Sequence, residues 1–396
     1  MVGLSLAITG AVFFYYFKTW STIEAFVRAM DHCDLLFCDF VRHYYVMGQN
    51  FFSLKAPVGG FFYSPFFALV LTLFSWVPLA TALWGWGIFQ VLTTTLLFLL
   101  PAAYFLKKKI SLYYLYLFLF IISFPILHNF KWGQVSVLIT LCVLGTLYFY
   151  RRGGKMIPAV LLALSMAIKY YTGIFIVYFL IKKDFRFTAV FLVALFIFMA
   201  VIPSLAIGVK SNFEFYREIN KNIDQFKTWV ANADNSQYLG HVIPRISNRI
   251  NGRPLLHLLL AISGVLVFLG NIFIIYRLRK IVLDPDDEIY WSFILLFLSF
   301  PLILETSWPH YFVYLPFCIT FLAGAAVDLR DRTKWPLWVL TAAPAVLSSS
   351  IFFNINGNWL KYSRSGYLFF ADVLLLIICY IHLFKFRFNA HIIKHK

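Results

Sequence analysis

Charge is scarce in this chain. Only 13% of its 396 residues are charged, and 17 acids face 34 Lys and Arg. A chain this poor in charge, 61% hydrophobic and with a mean hydropathy of +0.79, cannot hide its apolar surface as a soluble domain. A bundle of spanning helices can. Five cysteines are too few for a disulfide scaffold. Cys142, Cys318 and Cys379 fall in apolar runs and read as core. Cys33 and Cys38 share a polar loop, but five residues apart on a helix they are poorly aligned for a bond. Linkers, low-complexity tracts and repeats are missing, so residues 1–396 read as one integral-membrane domain. Walker loops, dinucleotide fingerprints and zinc-ligand spacings are missing too, which argues against a nucleotide-driven pump.

What charge there is carries topology. The net +17 invites a nucleic-acid reading, but Lys and Arg recur in short blocks between apolar runs. These are Lys107–Lys109, Arg151 to Lys155, Lys182 to Arg186, Arg277 to Lys280, Arg330 to Lys334, and a tail from Lys385 to Lys396. The positive-inside rule places such blocks in the cytoplasm, where they can also meet anionic lipid. Spans then fall near 3–17, 81–106, 110–127, 132–150, 187–208, 255–276, 289–304, 311–328, 335–353 and 367–384. The first has no upstream basic residue or clear cleavage site and reads as a retained anchor. Lys169 splits 156–181 into two short apolar halves, read as a pair of helices going out and back. The expectation is an all-α polytopic bundle of about twelve transmembrane helices with both termini inside. Its long outward loops are residues 18–80 and 209–254, the first ending in an interfacial helix over 65–79. The 46 Phe and 11 Trp suit lipid-facing surfaces and interfacial belts.

The outward loops hold the polar residues that invite chemistry. Asp31, Asp34 and Asp39 follow the first apolar segment, and carboxylates near a bilayer are costly. Asp39, flanked by aromatics, can act as general base toward a hydroxyl, or equally well cap a helix over 40–50. The three acids could hold a divalent cation, but no second ligand cluster accompanies them. Tyr63, Ser64 and Pro65 read at least as a turn. Between two spans lie His128, Asn129, Lys131, Gly133 and Gln134. There Lys131 is a compact cation suited to phosphate, and the Gln134 amide needs a partner. Lys169 is an ammonium in an apolar run, so it is a functional candidate unless it snorkels to the interface. His310, in Glu305 to Tyr311, can orient a carboxylate, donate to phosphate or shuttle a proton, although a lone His is more often structural. In 209–254 the early charges read as a solvated face. Arg245, Arg249 and Arg253 are spaced by four on one helical face; Arg245 can clamp a lipid phosphate, and equally all three can bind anionic headgroups.

Taken together these pieces resemble glycosyltransferase family 87, polytopic enzymes of the GT-C superfamily. Asp39, Phe40, Tyr44 and Tyr45 look like the Asp-hydrophobic-x-x-Tyr start of its first outer loop. Tyr63, Ser64, Pro65 is similar to its Tyr-Pro-Pro turn. Gly133 and Gln134, then Arg151 and Arg152, then Ala167, Ile168 and Lys169 resemble its Gly-Gln … Arg-Arg … Ala-hydrophobic-Lys core. Ser307, Trp308, Pro309, His310, Tyr311 resembles its Ser-Trp-x-His-aromatic segment. Each motif is weak alone, whereas four in order over roughly residues 35–320 are fairly specific. There are departures: Asn235, Ser236, Gln237, Tyr238, Leu239 replaces Asn-Gln-Ser-Leu, and Tyr170 follows Lys169 where Pro is usual.

The resemblance implies a hexosyltransferase with no cofactor. It would move a sugar, often mannose, from a polyprenyl-phosphate donor to a lipid-linked or cell-envelope glycan acceptor, with inversion. The reaction would face the outside of a prokaryotic plasma membrane. Asp39 would be the general base, and Lys131, Lys169, Arg245 and His310 would meet the donor phosphate, with Gln134 and Tyr63 in the substrate site. A lipid-linked oligosaccharide transporter or flippase, or an envelope polysaccharide polymerase, are the rival expectations.

Overall fold

The structure is a computed structural model that describes Ala25, Cys33 and residues 35–247, 254–281, 285–327, 334–356 and 359–384. The expected first span and basic tail, with Asp31, Asp34, Arg249 and Arg253, lie outside the described residues. Within them the chain is helical, with one isolated antiparallel bridge between Ser123 and Ser349.

Among the described residues five helices are long and apolar enough to cross a membrane: Leu79–Lys108, Phe185–Ile207, Leu255–Leu278, Pro309–Ala326 and Trp359–His382. Each falls on an expected span, and together they make a multi-pass membrane protein. Their exposed faces are apolar stripes. Leu255, Leu258, Leu259, Ile262, Leu266, Leu269 and Phe273 recur at helical spacing along one side of the third, a face that only lipid or another apolar surface covers favourably.

The expected total of about twelve is not met among the described residues. Three stretches resolve into the short helices Ile110–Ile121, Ser136–Arg151, Met156–Ile168 and Tyr170–Lys182. Two others are broken, into Pro285–Phe297 with Phe300–Ile303, and Lys334–Leu347 with Ser350–Asn356. Length is the physical reason: at about 1.5 Å per residue, a helix of about 12 residues covers roughly 18 Å of the ~30 Å hydrocarbon layer. Apolar runs report burial, and burial inside a bundle does not require crossing it.

The chain divides into two compact units. Among the described residues, the first comprises those within Cys33–Leu100 and Asn129–Val230; the second comprises Ala25, Pro101–His128 and those from Ala231 onward. In the first, helix Met156–Ile168 packs between Ser136–Arg151 and Phe185–Phe196, while Pro65–Ser75 packs on Tyr45–Leu54. An aromatic core sits under the first loop, with Phe40 stacked on Trp86 at 4.5 Å and Tyr44 edge-on to both Trp86 and Tyr63. In the second, helix Leu315–Val327 packs on Lys334–Leu347 and Tyr367–His382.

Cys33 and Cys38 form a disulfide, contrary to the expectation from helical spacing. Residues 35–37 bend and turn, with Phe37 at a left-handed φ of 56°, and the two Cα atoms lie 6.4 Å apart. Helix starts at Cys38 itself and continues through a π-turn over Phe40–Tyr44 into Tyr45–Leu54.

Candidate active site

Asp39 stands at the start of that π-turn, but its side chain makes no capping bond. Instead its Oδ2 accepts a hydrogen bond from Gln134 Nε2. The other end of the Gln134 amide accepts from the Tyr63 hydroxyl at 2.7 Å. Tyr63 in turn accepts from the Tyr44 hydroxyl at 2.6 Å and from the Lys169 ammonium at 3.3 Å. A carboxylate is thus joined to an ammonium through one amide and one phenol. Lys169 also lies 4.5 Å from the Tyr63 ring centroid, a cation–π placement. Tyr44, Tyr63, Gln134 and Lys169 are all buried.

Local sequence explains how distant segments meet here. Ser64 caps helix Pro65–Ser75 by accepting from the Phe67 N–H, and Pro65 suits the first helical turn. The same hydroxyl donates to the Ala167 carbonyl, so the Tyr63–Pro65 turn is fastened to the residues that end helix Met156–Ile168. Lys169 then takes extended backbone (φ −148°, ψ 120°) before the tight turns of Tyr170–Phe175, outside both flanking helices. Gly133 has φ +66°, and a Cβ there would come within 2.9 Å of Phe37 and Trp86. Only glycine lets the chain turn that closely into Gln134. The Trp86 indole donates to the Gly133 carbonyl and the Gln90 amide to the Gln134 carbonyl, at 3.1 and 2.8 Å.

Electrostatics follow from this enclosure. Burial lowers the Lys169 pKa to about 7, partly opposed by the Asp39 charge. Burial pushes the Tyr63 phenol far above its ordinary value, so it stays a neutral donor; the hydrogen bond from Tyr44 opposes this and the Asp39 charge adds to it. The Lys169 end can therefore change charge near neutral pH, while the amide and phenol between it and Asp39 orient the two ends.

Lys131 lies beside the disulfide turn. Its side chain is buried and its ammonium donates to the Cys33 carbonyl, while its own carbonyl accepts from the Phe37 N–H at 2.8 Å. Both bonds clip the disulfide turn beside Asp39 onto residues 130–133, where Phe37 meets Phe130 edge-on at 5.1 Å.

His310 and Arg245 belong to the second unit. His310 is buried in a stack: its ring lies 5.6 Å from His128, which lies 5.2 Å from Trp359. Arg245 donates to four backbone carbonyls, those of Arg364, Ala233, Ser236 and Ser363. Burial, opposed by Asp234, lowers its pKa to about 10, so it remains charged at neutral pH. The divergent segment Asn235 to Leu239 meets the Ser307 segment, with the Gln237 N–H on the Ser307 carbonyl at 2.7 Å.

Two residues escaped the sequence reading. Gln90, whose Oε1 accepts from Asn129 Nδ2 at 3.0 Å, sits in an apolar helix, and a lone amide there is itself the signal. Asp372, buried in Tyr367–His382 and bonded by the Tyr314 hydroxyl at 2.7 Å, is a carboxyl inside a spanning helix and calls for the same attention.

These features define a multi-pass membrane protein with an enclosed carboxylate–amide–phenol–ammonium site. Residues 61–304 match the model of glycosyltransferase family 87, and the chain belongs to that family. No curated protein and no solved structure matches it. Tyr63, Lys131, Gln134, Lys169 and Arg245 lie inside the matched stretch; Asp39 and His310 lie outside it.

Proposed function

We propose that this glycosyltransferase transfers a hexose, with mannose the expected sugar, from a polyprenyl-phosphate donor to a hydroxyl of a lipid-linked or cell-envelope acceptor. The hydrogen-bonded chain Asp39–Gln134–Tyr63–Lys169 carries this reading. Asp39 takes the proton of the acceptor hydroxyl, whose oxygen attacks the anomeric carbon. The bond from that carbon to the phosphate oxygen breaks, and its electron pair leaves on the phosphate. One displacement inverts the centre. The Lys169 ammonium supplies positive charge where phosphate charge develops. Gln134 holds the carboxylate and Tyr63 holds the ammonium. In this reading Lys131 positions the Asp39 loop, and Arg245 binds its own loop in place of a phosphate. The reaction faces the exterior of a prokaryotic plasma membrane, on the side away from the basic blocks.

The break at Lys169 also suits a transporter, whose substrate paths are lined by interrupted helices. Both readings meet one experiment. Membranes bearing wild type or Asp39→Asn are incubated with radiolabelled polyprenyl-phosphate mannose and an acceptor mixture, and label leaving the donor is followed. Turnover by wild type, lost in a variant that still binds donor, supports the transferase. Equal turnover by both removes Asp39 from the mechanism. Donor left intact by wild type with every acceptor favours the transporter.

A further inference from the structure

At the far end of helix Met156–Ile168 from Lys169, two tight turns lie side by side in the first unit. One joins Ser136–Arg151 to Met156–Ile168, and the other joins Ile176–Lys182 to Phe185–Phe196. They carry Arg151, Arg152, Lys155, Lys182, Lys183 and Arg186 against a single acid, Asp184. Asp184 ties the turns together: its Oδ2 accepts from Lys155 at 2.5 Å and from the Tyr150 hydroxyl at 2.7 Å, and its Oδ1 caps the Phe187 N–H at 3.1 Å. Burial opposes ionisation of Asp184, but those three bonds hold its pKa below the usual carboxylate value. That one negative charge is thus bonded by Lys155, and it stands against six cations on the two turns.

The cations are arranged as well as numerous. Lys155 and Lys182 share the Tyr150 ring, at 4.0 and 5.6 Å from its centroid, and Lys182 also donates to the Tyr178 hydroxyl at 3.0 Å. Arg152 lies over Tyr148 at 4.1 Å. Beneath them Phe179 and Phe187 stack at 3.5 Å and meet Tyr150 edge-on, which fixes the platform. Beside the exposed Arg152, Lys183 and Arg186 stand Met156, Ile157 and Phe185, 64%, 59% and 72% exposed. The positive-inside bias accounts for cations in these turns, but not for a rigid aromatic seat bordered by exposed apolar side chains.

We propose that this double turn binds the headgroup of an anionic phospholipid, with Arg152, Lys183 and Arg186 on the phosphate and Met156, Ile157 and Phe185 against the first carbons of its chains. Cations near a membrane surface favour anionic lipid, and exposed apolar residues beside them favour a lipid over a free anion. The site is separate from sugar transfer and needs no acceptor or donor.

The test uses the full-length protein purified in a non-ionic detergent, with thermal unfolding followed as phosphatidylglycerol, phosphatidylcholine or inorganic phosphate is added. Phosphatidylglycerol is expected to raise Tm by about 5 °C or more, and the other two to have little effect. The shift is expected to weaken in Arg152→Gln and to vanish in Lys183→Gln combined with Arg186→Gln. All three side chains are exposed, so these variants should fold. Lys107→Gln with Lys109→Gln, which removes cations elsewhere, should keep the shift. An equal shift with phosphatidylcholine or with inorganic phosphate overturns the proposal. So does a shift that survives in the Lys183/Arg186 variant.

Discussion

Two clusters of buried polar side chains, one in each unit, find their partners in opposite ways. In the second, Arg245 spends its donors on four main-chain carbonyls, and the Gln237 amide joins the Ser363 carbonyl and the Phe369 N–H. Backbone partners do not titrate or leave, so such side chains hold loops in place. In the first, Asp39, Gln134, Tyr63 and Lys169 bond to one another, and the two ends are groups that gain or lose protons. A network of side chains can change its charge and exchange a partner for substrate. Partner type distinguishes the two clusters where residue type does not, since both units hold buried cations.

The sharpest way to break this contrast is Asp39→Asn, which keeps the bulk of the side chain but removes the base. Transfer is expected to fall by about 10²–10⁴-fold with donor binding retained, measured as initial rates alongside a donor-binding isotherm. Next comes charge at the other end. Lys169 is protonated below a pKa of about 7 and neutral above it, so affinity for a phosphate donor should decline as pH rises from 6 to 8. Lys169→Arg, charged throughout, should flatten that profile, and a wild-type affinity unchanged over this range would remove Lys169 from the phosphate. Tyr63→Phe removes one hydrogen bond from the Gln134 oxygen, which keeps the one from the Tyr44 hydroxyl, and one from the Lys169 ammonium. Stability should drop by about 1–3 kcal/mol in chemical denaturation, with a smaller loss of rate than at either end. The smallest effect on transfer belongs to the second unit. Arg245→Ala should lower stability by a similar ~1–3 kcal/mol for its stranded carbonyls, while the rate per folded molecule changes by less than about twofold. Loss of transfer in a folded Arg245→Ala protein would return that guanidinium to the phosphate.

Much of the first unit's site was legible in the chain. Asp39, Tyr63, Gln134 and Lys169 stood out because each places a polar group beside apolar runs, where it must find a partner. Gln90 carried the same signal inside an apolar helix and was passed over. The Cys33–Cys38 bond was misjudged because helical spacing was assumed where Phe37 makes a left-handed turn. Charge alone did not show that the Lys131 ammonium also donates to the Cys33 carbonyl, because that bond depends on what folds against it.

By itself the sequence determined that this is a helical, multi-pass membrane protein. Scarcity of charge and abundance of apolar residues are properties of composition and need no partner in space. It also determined which polar residues would be costly to bury. Tertiary structure decided which of them meet. The Ser64 hydroxyl on the Ala167 carbonyl brings Tyr63 to Lys169, and the turn at Gly133 aims Gln134 at both Asp39 and Tyr63. It also decided that several apolar runs are short or broken helices. Hydropathy measures the cost of leaving water, and that cost is the same whether a segment is covered by lipid or by its neighbours.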